Sequence, residues 1–134
     1  PEVDGAALTS VLEDVTRKWN VDSERMLLTG ISDGGTFALV NSLQDESPFS
    51  AFAVIAGVLP PRDLRMARGK RIFWAHGALD WMFPVKTAQR AATMLEQAGA
   101  DITLRFIHDL SHAYPRDQNA RILEWFDPAL SLSP

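Results

Sequence analysis

Cysteine is absent from the 134 residues, which excludes disulfides, thiolate metal sites and thiol catalysis. The absence suits reducing and oxidising compartments equally and leaves localisation open. Basic runs are missing as well. The tightest groups, residues 62–71 and 116–121, are interrupted by apolar and acidic residues, and the net charge is −4. Nucleic acid is therefore not an expected partner. No apolar run approaches the roughly 20 residues needed to span a bilayer. The start shows neither a methionine nor a charged-then-apolar leader, so no secretory signal is expected there. Internal repeats, low-complexity tracts, an interdomain linker and a glycine-rich dinucleotide motif are likewise missing, and neither a metal nor an organic cofactor is implied. Hydrophobic residues at 46% against charged residues at 22% argue against disorder and for one domain with a real core.

What is present is led by Gly30-Ile31-Ser32-Asp33-Gly34. Met26-Leu27-Leu28-Thr29 before it reads as a buried strand, and Gly35-Thr36-Phe37-Ala38-Leu39-Val40 after it as the start of a helix. A strand that turns sharply into a helix strains the turn residue and lifts its side chain clear of the sheet, as in a nucleophile elbow. The glycines are expected there because a Cβ would clash with neighbouring backbone.

The rest of the chain alternates. Leu8, Val11, Leu12, Val15 and Trp19 make the stripe of an amphipathic helix, with Asp4 as its expected N-cap. Phe52-Ala53-Val54-Ile55-Ala56, closed by Gly57, has the look of a strand buried on both faces. Pro60-Pro61 marks a loop, and Arg71-Ile72-Phe73-Trp74-Ala75 is a third strand, closed by His76-Gly77. Residues 85–98 carry Ala88, Ala91, Ala92 and Leu95 at helical spacing, stopped by Gly99. Residues 102–107 form a fourth strand, and a last helix is expected over 116–126, with Pro115 near its start. Strands alternating with helices mean an α/β fold: a parallel sheet with helices on both faces. Active residues in such sheets collect in loops beyond the C-terminal strand ends.

Three such loops carry Ser32, Asp80 and His112. A serine hydroxyl needs a base to take its proton as it attacks. Histidine, with an ordinary pKa of about 6.5, suits that task, and a carboxylate fixes its tautomer. Ser32, Asp80 and His112 follow in the order nucleophile, acid, base, and each lies beyond a different strand. Asp109 follows the wrong strand for the acid. His108 leaves the last strand directly, whereas His112 sits farther out, where its side chain can reach the serine. His108 and His76 are assigned structural roles. Asp33, following the nucleophile, can offer its backbone N–H to an oxyanion. Trp81, Met82 and Phe83 follow the acid and either line an apolar substrate pocket or belong to the core. Tyr114 stands beside His112 and would edge the same cleft.

Three blocks carry a family resemblance: Gly30-Ile31-Ser32-Asp33-Gly34-Gly35, His76-Gly77-Ala78-Leu79-Asp80 with Pro84, and Ser111-His112-Ala113-Tyr114-Pro115. Together with Val21-Asp22-Ser23-Glu24-Arg25, which looks like an Asp-x-x-Arg turn, they resemble α/β-hydrolases. Within that superfamily they are most similar to the phospholipase/carboxylesterase and dienelactone-hydrolase-like esterases. Dienelactone hydrolases proper use a cysteine at the elbow, so Ser32 favours the esterase branch. The resemblance implies a partial α/β-hydrolase fold, made of the elbow strand and the three strands after it. Residues 1–134 would form a single partial domain, the C-terminal half that carries the catalytic triad. The strands ahead of the elbow strand in that fold have no counterpart here, nor does the loop that usually supplies a second oxyanion donor. The missing N-terminal half, or a second copy, is expected to cover the Met26-Leu27-Leu28-Thr29 edge.

The resulting expectation is a serine hydrolase that cleaves small-molecule carboxylic esters through an acyl-enzyme, with Ser32 as nucleophile, His112 as base and Asp80 as orienting acid. Two alternatives stand beside it. One is a serine peptidase of prolyl-oligopeptidase type, which shares the elbow and triad order. The other is a non-catalytic hydrolase-like scaffold or assembly module, against which the retention of all three residues argues.

Overall fold

A computed structural model describes residues 2–131. Helix α1 (Glu2–Lys18) leads into β1 (Leu27–Ile31), α2 (Asp33–Ser42), β2 (Ala51–Ile55), β3 (Arg71–Gly77), α3 (Val85–Gln97), β4 (Asp101–Ile107) and α4 (Asn119–Phe126). The four strands lie side by side in chain order, β1-β2-β3-β4. All three pairings are parallel, with Gly30 opposite Val54, Val54 opposite Trp74, and Trp74 opposite Leu104.

The middle strands show why their sequences are unbroken apolar runs. Side chains alternate between the faces of a sheet, and both faces here are covered. Phe52, Val54, Ile72 and Trp74 point to one side, where Leu39 of α2 and Ala88, Ala91 and Leu95 of α3 pack on them. Ala53, Ile55, Phe73 and Ala75 point to the other, under Ile122 and Trp125 of α4. Every residue of β2 is buried. The β1–α2–β2 and β3–α3–β4 connections carry helices, as expected. The β2–β3 link has only a short 3₁₀ turn at Arg65–Ala67, in keeping with the Pro60-Pro61 loop signal.

Several boundaries differ from the sequence reading. β1 runs on through Gly30 and Ile31, so the strand reaches the elbow itself. The last helix begins as a 3₁₀ turn, Arg116–Gln118, before α4 proper. Asp4 lies inside α1 and does not cap it. The α1 stripe exists but is poorly covered: Val11 is 58% and Trp19 72% exposed. A groove of about 470 Å³ separates α1 from α2, lined by Leu8 and Leu12 on one side and Phe37 and Val40 on the other. The core face of the first helix is thus partly uncovered. Among the described residues, no helix is long and apolar enough to cross a membrane.

Two salt-bridged or stacked contacts close the sheet's lower end. Arg25 bonds Asp22 through Nε at 2.8 Å and reaches Asp127 beyond α4 with Nη1. Arg71 lies 4.7 Å over the Trp125 ring and donates to the Trp125 carbonyl at 2.6 Å. Both tie α4 to the sheet end opposite the loops that matter chemically.

Candidate active site

Ser32 occupies the turn between β1 and α2 with φ 56° and ψ −119°, a left-handed conformation that costs a non-glycine residue about 1–3 kcal/mol. Its backbone is held from both sides. The Ser32 N–H donates to the Ile55 carbonyl at 2.9 Å, and the Thr36 N–H donates to the Ser32 carbonyl at 2.9 Å. Close approach of the backbone makes two glycines necessary. A Cβ on Gly30 would stand 2.4 Å from the Gly34 backbone, and one on Gly35 would stand 2.7 Å from the Ile55 oxygen. Gly34 corrects the sequence reading: a Cβ there would meet nothing within 4 Å. Its role is to be approached by Gly30, so the steric demand falls on the neighbours.

The other two site loops are stitched together before their side chains meet. The Ala78 N–H donates to the Ile107 carbonyl, and the Leu79 N–H to the Leu110 carbonyl, each at 2.9 Å. The two loops cross at Gly77, where a Cβ would lie 2.2 Å from the Leu110 oxygen. A larger residue there would force apart the acid and histidine loops.

These three loops bring Ser32, His112 and Asp80 into one continuous chain of hydrogen bonds. His112 Nε2 lies 2.9 Å from Ser32 Oγ, and His112 Nδ1 lies 2.8 Å from Asp80 Oδ2. An ionised carboxylate only accepts, so Nδ1 carries the ring proton and Nε2 is left to accept from the serine hydroxyl. The second oxygen of Asp80, Oδ1, receives the Met82 N–H at 2.9 Å and the Phe83 N–H at 2.7 Å. Burial alone would raise the Asp80 carboxyl. The Phe83 N–H, the His112 ring and the Met82 N–H outweigh that and hold it below the ordinary carboxylate range. Asp80 thus stays charged opposite His112.

The remaining predicted residues fall unevenly around this chain. Asp33 is the first residue of α2, so its N–H has no intrahelical acceptor and sits at the positive end of the helix dipole. The Phe83 ring stands edge-on to the His112 ring at 5.3 Å, and the Trp81 ring does so at 6.3 Å. Trp81 is 74% exposed and Met82 45%, so the core reading fails for both. Tyr114 is half-exposed, and its hydroxyl donates to Asn119 at 2.5 Å, committing it to the start of α4. His108, at 95% side-chain exposure beside Asp109, takes no part. His76, by contrast, is buried beneath the acid loop.

Sequence reasoning missed one feature of the neighbourhood. Ala56, at the end of β2, also has positive φ, 50°. Its N–H donates to the Ala75 carbonyl at 3.0 Å, and two residues on, the Val58 N–H donates to Thr36 Oγ1 at 3.0 Å. The loop after β2 is therefore tied to the first turn of the elbow helix. Nothing in the local sequence signals a left-handed alanine.

Residues 7–127 match the phospholipase/carboxylesterase family. The chain is 32% identical over 104 residues to acyl-protein thioesterase 1 of Mycosarcoma maydis, an alignment that covers 72% of this chain and 41% of that protein. It is similar in fold to SOBER1 of Arabidopsis thaliana, with TM-score 0.75, 20% identity, and 94% of this chain and 62% of that one covered. It is also similar to a Bacillus cereus carboxylesterase, with TM-score 0.74, 22% identity, and coverage of 91% and 58%. The chain thus spans less than half the length of the curated relative and about three-fifths of these structures.

Proposed function

The chain belongs to the phospholipase/carboxylesterase family of α/β-hydrolases, and from that premise we propose that it cleaves carboxylic esters by a serine acyl-enzyme mechanism. One observation carries the proposal: the unbroken series Ser32 Oγ, His112 Nε2, His112 Nδ1, Asp80 Oδ2, with links of 2.9 and 2.8 Å, on an elbow that strains the serine. Ser32 Oγ attacks the carbonyl carbon while His112 Nε2 takes its proton. The carbonyl oxygen gains the negative charge, which the Asp33 N–H at the start of α2 is placed to stabilise. Collapse of the tetrahedral species breaks the bond to the leaving group, which departs with the proton from His112. Water then repeats the sequence on the acyl-enzyme and releases the acid. Asp80 keeps its charge throughout and steadies the imidazolium.

Trp81, Phe83 and Met82 form the apolar side of the cleft in this reading, the first two facing the His112 ring. Tyr114 edges it from the histidine loop. The fungal relative is named as a thioesterase, and a thioester carbonyl presents the same electrophile to Ser32, so both oxygen and sulfur esters are within the proposal. Residues 1–134 act as a single unit carrying the triad. A second oxyanion donor and a neighbour for β1 come from polypeptide outside these residues, whether a preceding segment or another copy. A fluorophosphonate probe, with p-nitrophenyl ester hydrolysis as the activity assay, tests the core of this. Labelling should fall on Ser32, and Ser32→Ala should lose both label and turnover, the latter on the order of 10⁶-fold. A Ser32→Ala protein that keeps a tenth of the activity removes Ser32 from the mechanism.

A further inference from the structure

We propose that His76 is a positioning residue for this site: by holding the Phe83 carbonyl it keeps Asp80 in line with His112. The inference rests on the catalytic reading of Ser32, His112 and Asp80 above. His76 lies in β3 and its side chain is fully buried. A buried imidazole costs free energy unless its nitrogens are satisfied, and here both are. Trp74 Nε1 lies 3.2 Å from His76 Nδ1. An indole N–H can only donate, so Nδ1 accepts and the ring proton sits on Nε2. That Nε2 lies 2.7 Å from the Phe83 carbonyl oxygen and donates to it.

Phe83 is thereby gripped at both ends of one residue. Its carbonyl is held by His76, and its own N–H donates to Asp80 Oδ1 at 2.7 Å. Its ring meanwhile stands 5.3 Å from the His112 ring. His76 Nε2 is also 3.4 Å from Asp80 Oδ2, the oxygen that receives His112 Nδ1–H. One anchored residue thus sets the carboxylate and one wall of the imidazole together. The anchor runs back through Trp74, which is fully buried between the sheet and α3. Simple core filling does not explain these links, because an aliphatic side chain would fill the space without them. If Phe83 is released, Asp80 is free to shift, and a displacement of about 1 Å at such a distance from the chemistry can cost about 10²-fold in rate.

Two variants of the full chain separate the roles of the two ring nitrogens. His76→Gln places an amide N–H near the position of Nε2 and can still hold the Phe83 carbonyl. His76→Asn is too short to reach it. Two quantities are read: kcat and KM on a p-nitrophenyl ester, and the downfield proton resonance of the His112–Asp80 hydrogen bond in the resting protein. His76→Asn is expected to lose about 30- to 100-fold in kcat with KM within about threefold, and to broaden or lose the resonance. His76→Gln should keep the resonance and stay within about threefold of the parent kcat. A folded His76→Asn with parental kcat and resonance overturns the proposal, as does a folded His76→Gln as damaged as His76→Asn. Should His76→Asn fail to fold by thermal melt, His76→Gln alone decides on the same terms. A parent with the resonance but without Ser32-dependent turnover sinks the catalytic reading and leaves the His76 test standing on the resonance. A parent without the resonance overturns the His76 proposal directly.

Discussion

Asp80→Asn separates charge and tautomer control from mere space filling. Asp80 Oδ1 accepts two backbone N–H groups, from Met82 and Phe83, while Oδ2 accepts His112 Nδ1–H at 2.8 Å. Asparagine offers one oxygen and one NH₂ in the same volume. Keeping the oxygen at the Oδ1 position preserves both backbone bonds, and the NH₂ then faces His112 Nδ1. Two donors cannot share that contact, so the ring proton moves to Nε2. Nε2 then has no lone pair for the Ser32 hydroxyl, and the serine loses its base. The loss expected for this tautomer error is about 10⁴-fold in kcat, equivalent to about 5.4 kcal/mol of barrier at roughly 1.36 kcal/mol per tenfold. Steady-state hydrolysis of a p-nitrophenyl ester measures it, with near-native circular dichroism as the check on folding. Asp80→Asn protein that is folded and keeps a tenth of the parent kcat would refute the reasoning.

The same substitution has a consequence for stability. The Asp80 carboxyl is held below its ordinary range when folded, so the unfolded chain takes up that proton at higher pH than the folded one. The carboxylate therefore contributes stability above the ordinary value near pH 4, and this is lost as pH falls through the lower folded value. Urea denaturation should show parent and Asp80→Asn differing at neutral pH and converging below about pH 4. Curves that stay parallel into that range would show that the folded carboxyl is not depressed.

How much of this was legible in the sequence follows from what is local. Phe52 to Ile55 and Ile72 to Ala75 are buried on both faces, and that burial leaves continuous apolar runs. The elbow was legible because its glycines fall within three residues of the serine, and the grouping of Ser32, Asp80 and His112 because each lies beyond a different strand, in a revealing order. What escaped is non-local. Arg25 was visible as half of a turn with Asp22, but its other partner, Asp127, lies 102 residues away. The placement of Arg71 over Trp125 spans 54 residues and has no period. His76 closed a strand in the sequence, where a buried histidine looks the same whether it fills space or holds a loop. Only the paired distances to Trp74 and Phe83 separate those uses. Asp4 lies inside α1 and not at its cap because helix ends depend on backbone geometry that an aspartate does not by itself dictate.

Substituting His112 by alanine should be as damaging as losing Ser32, whereas His108→Ala should leave kcat within about twofold, as surface changes usually do; an inactive His108→Ala protein would reassign the base. Gly77→Ala puts a Cβ within 2.2 Å of the Leu110 oxygen and 2.4 Å of the Ser111 oxygen. Both obstacles are backbone, so it should cost at least about 1–3 kcal/mol in urea denaturation and lower kcat as the acid and histidine loops part; an unchanged midpoint and rate would show that the loops can yield. The last expectation concerns β1. Among the described residues β1 pairs only with β2 and is the sheet's first strand, with Thr29 and Ile31 exposed, so its outer edge presents N–H and C=O groups that no described strand pairs. Such an edge is a template for another strand. Purified residues 1–134 should therefore self-associate in sedimentation velocity as concentration rises. Thr29→Lys, which sets a charge on that edge, should reduce the association. Their turnover should also fall about 10²–10³-fold short of a protein that supplies a second oxyanion donor. A monomer at high concentration with full esterase turnover would mean that β1 tolerates a bare edge and that Asp33 alone suffices as oxyanion donor.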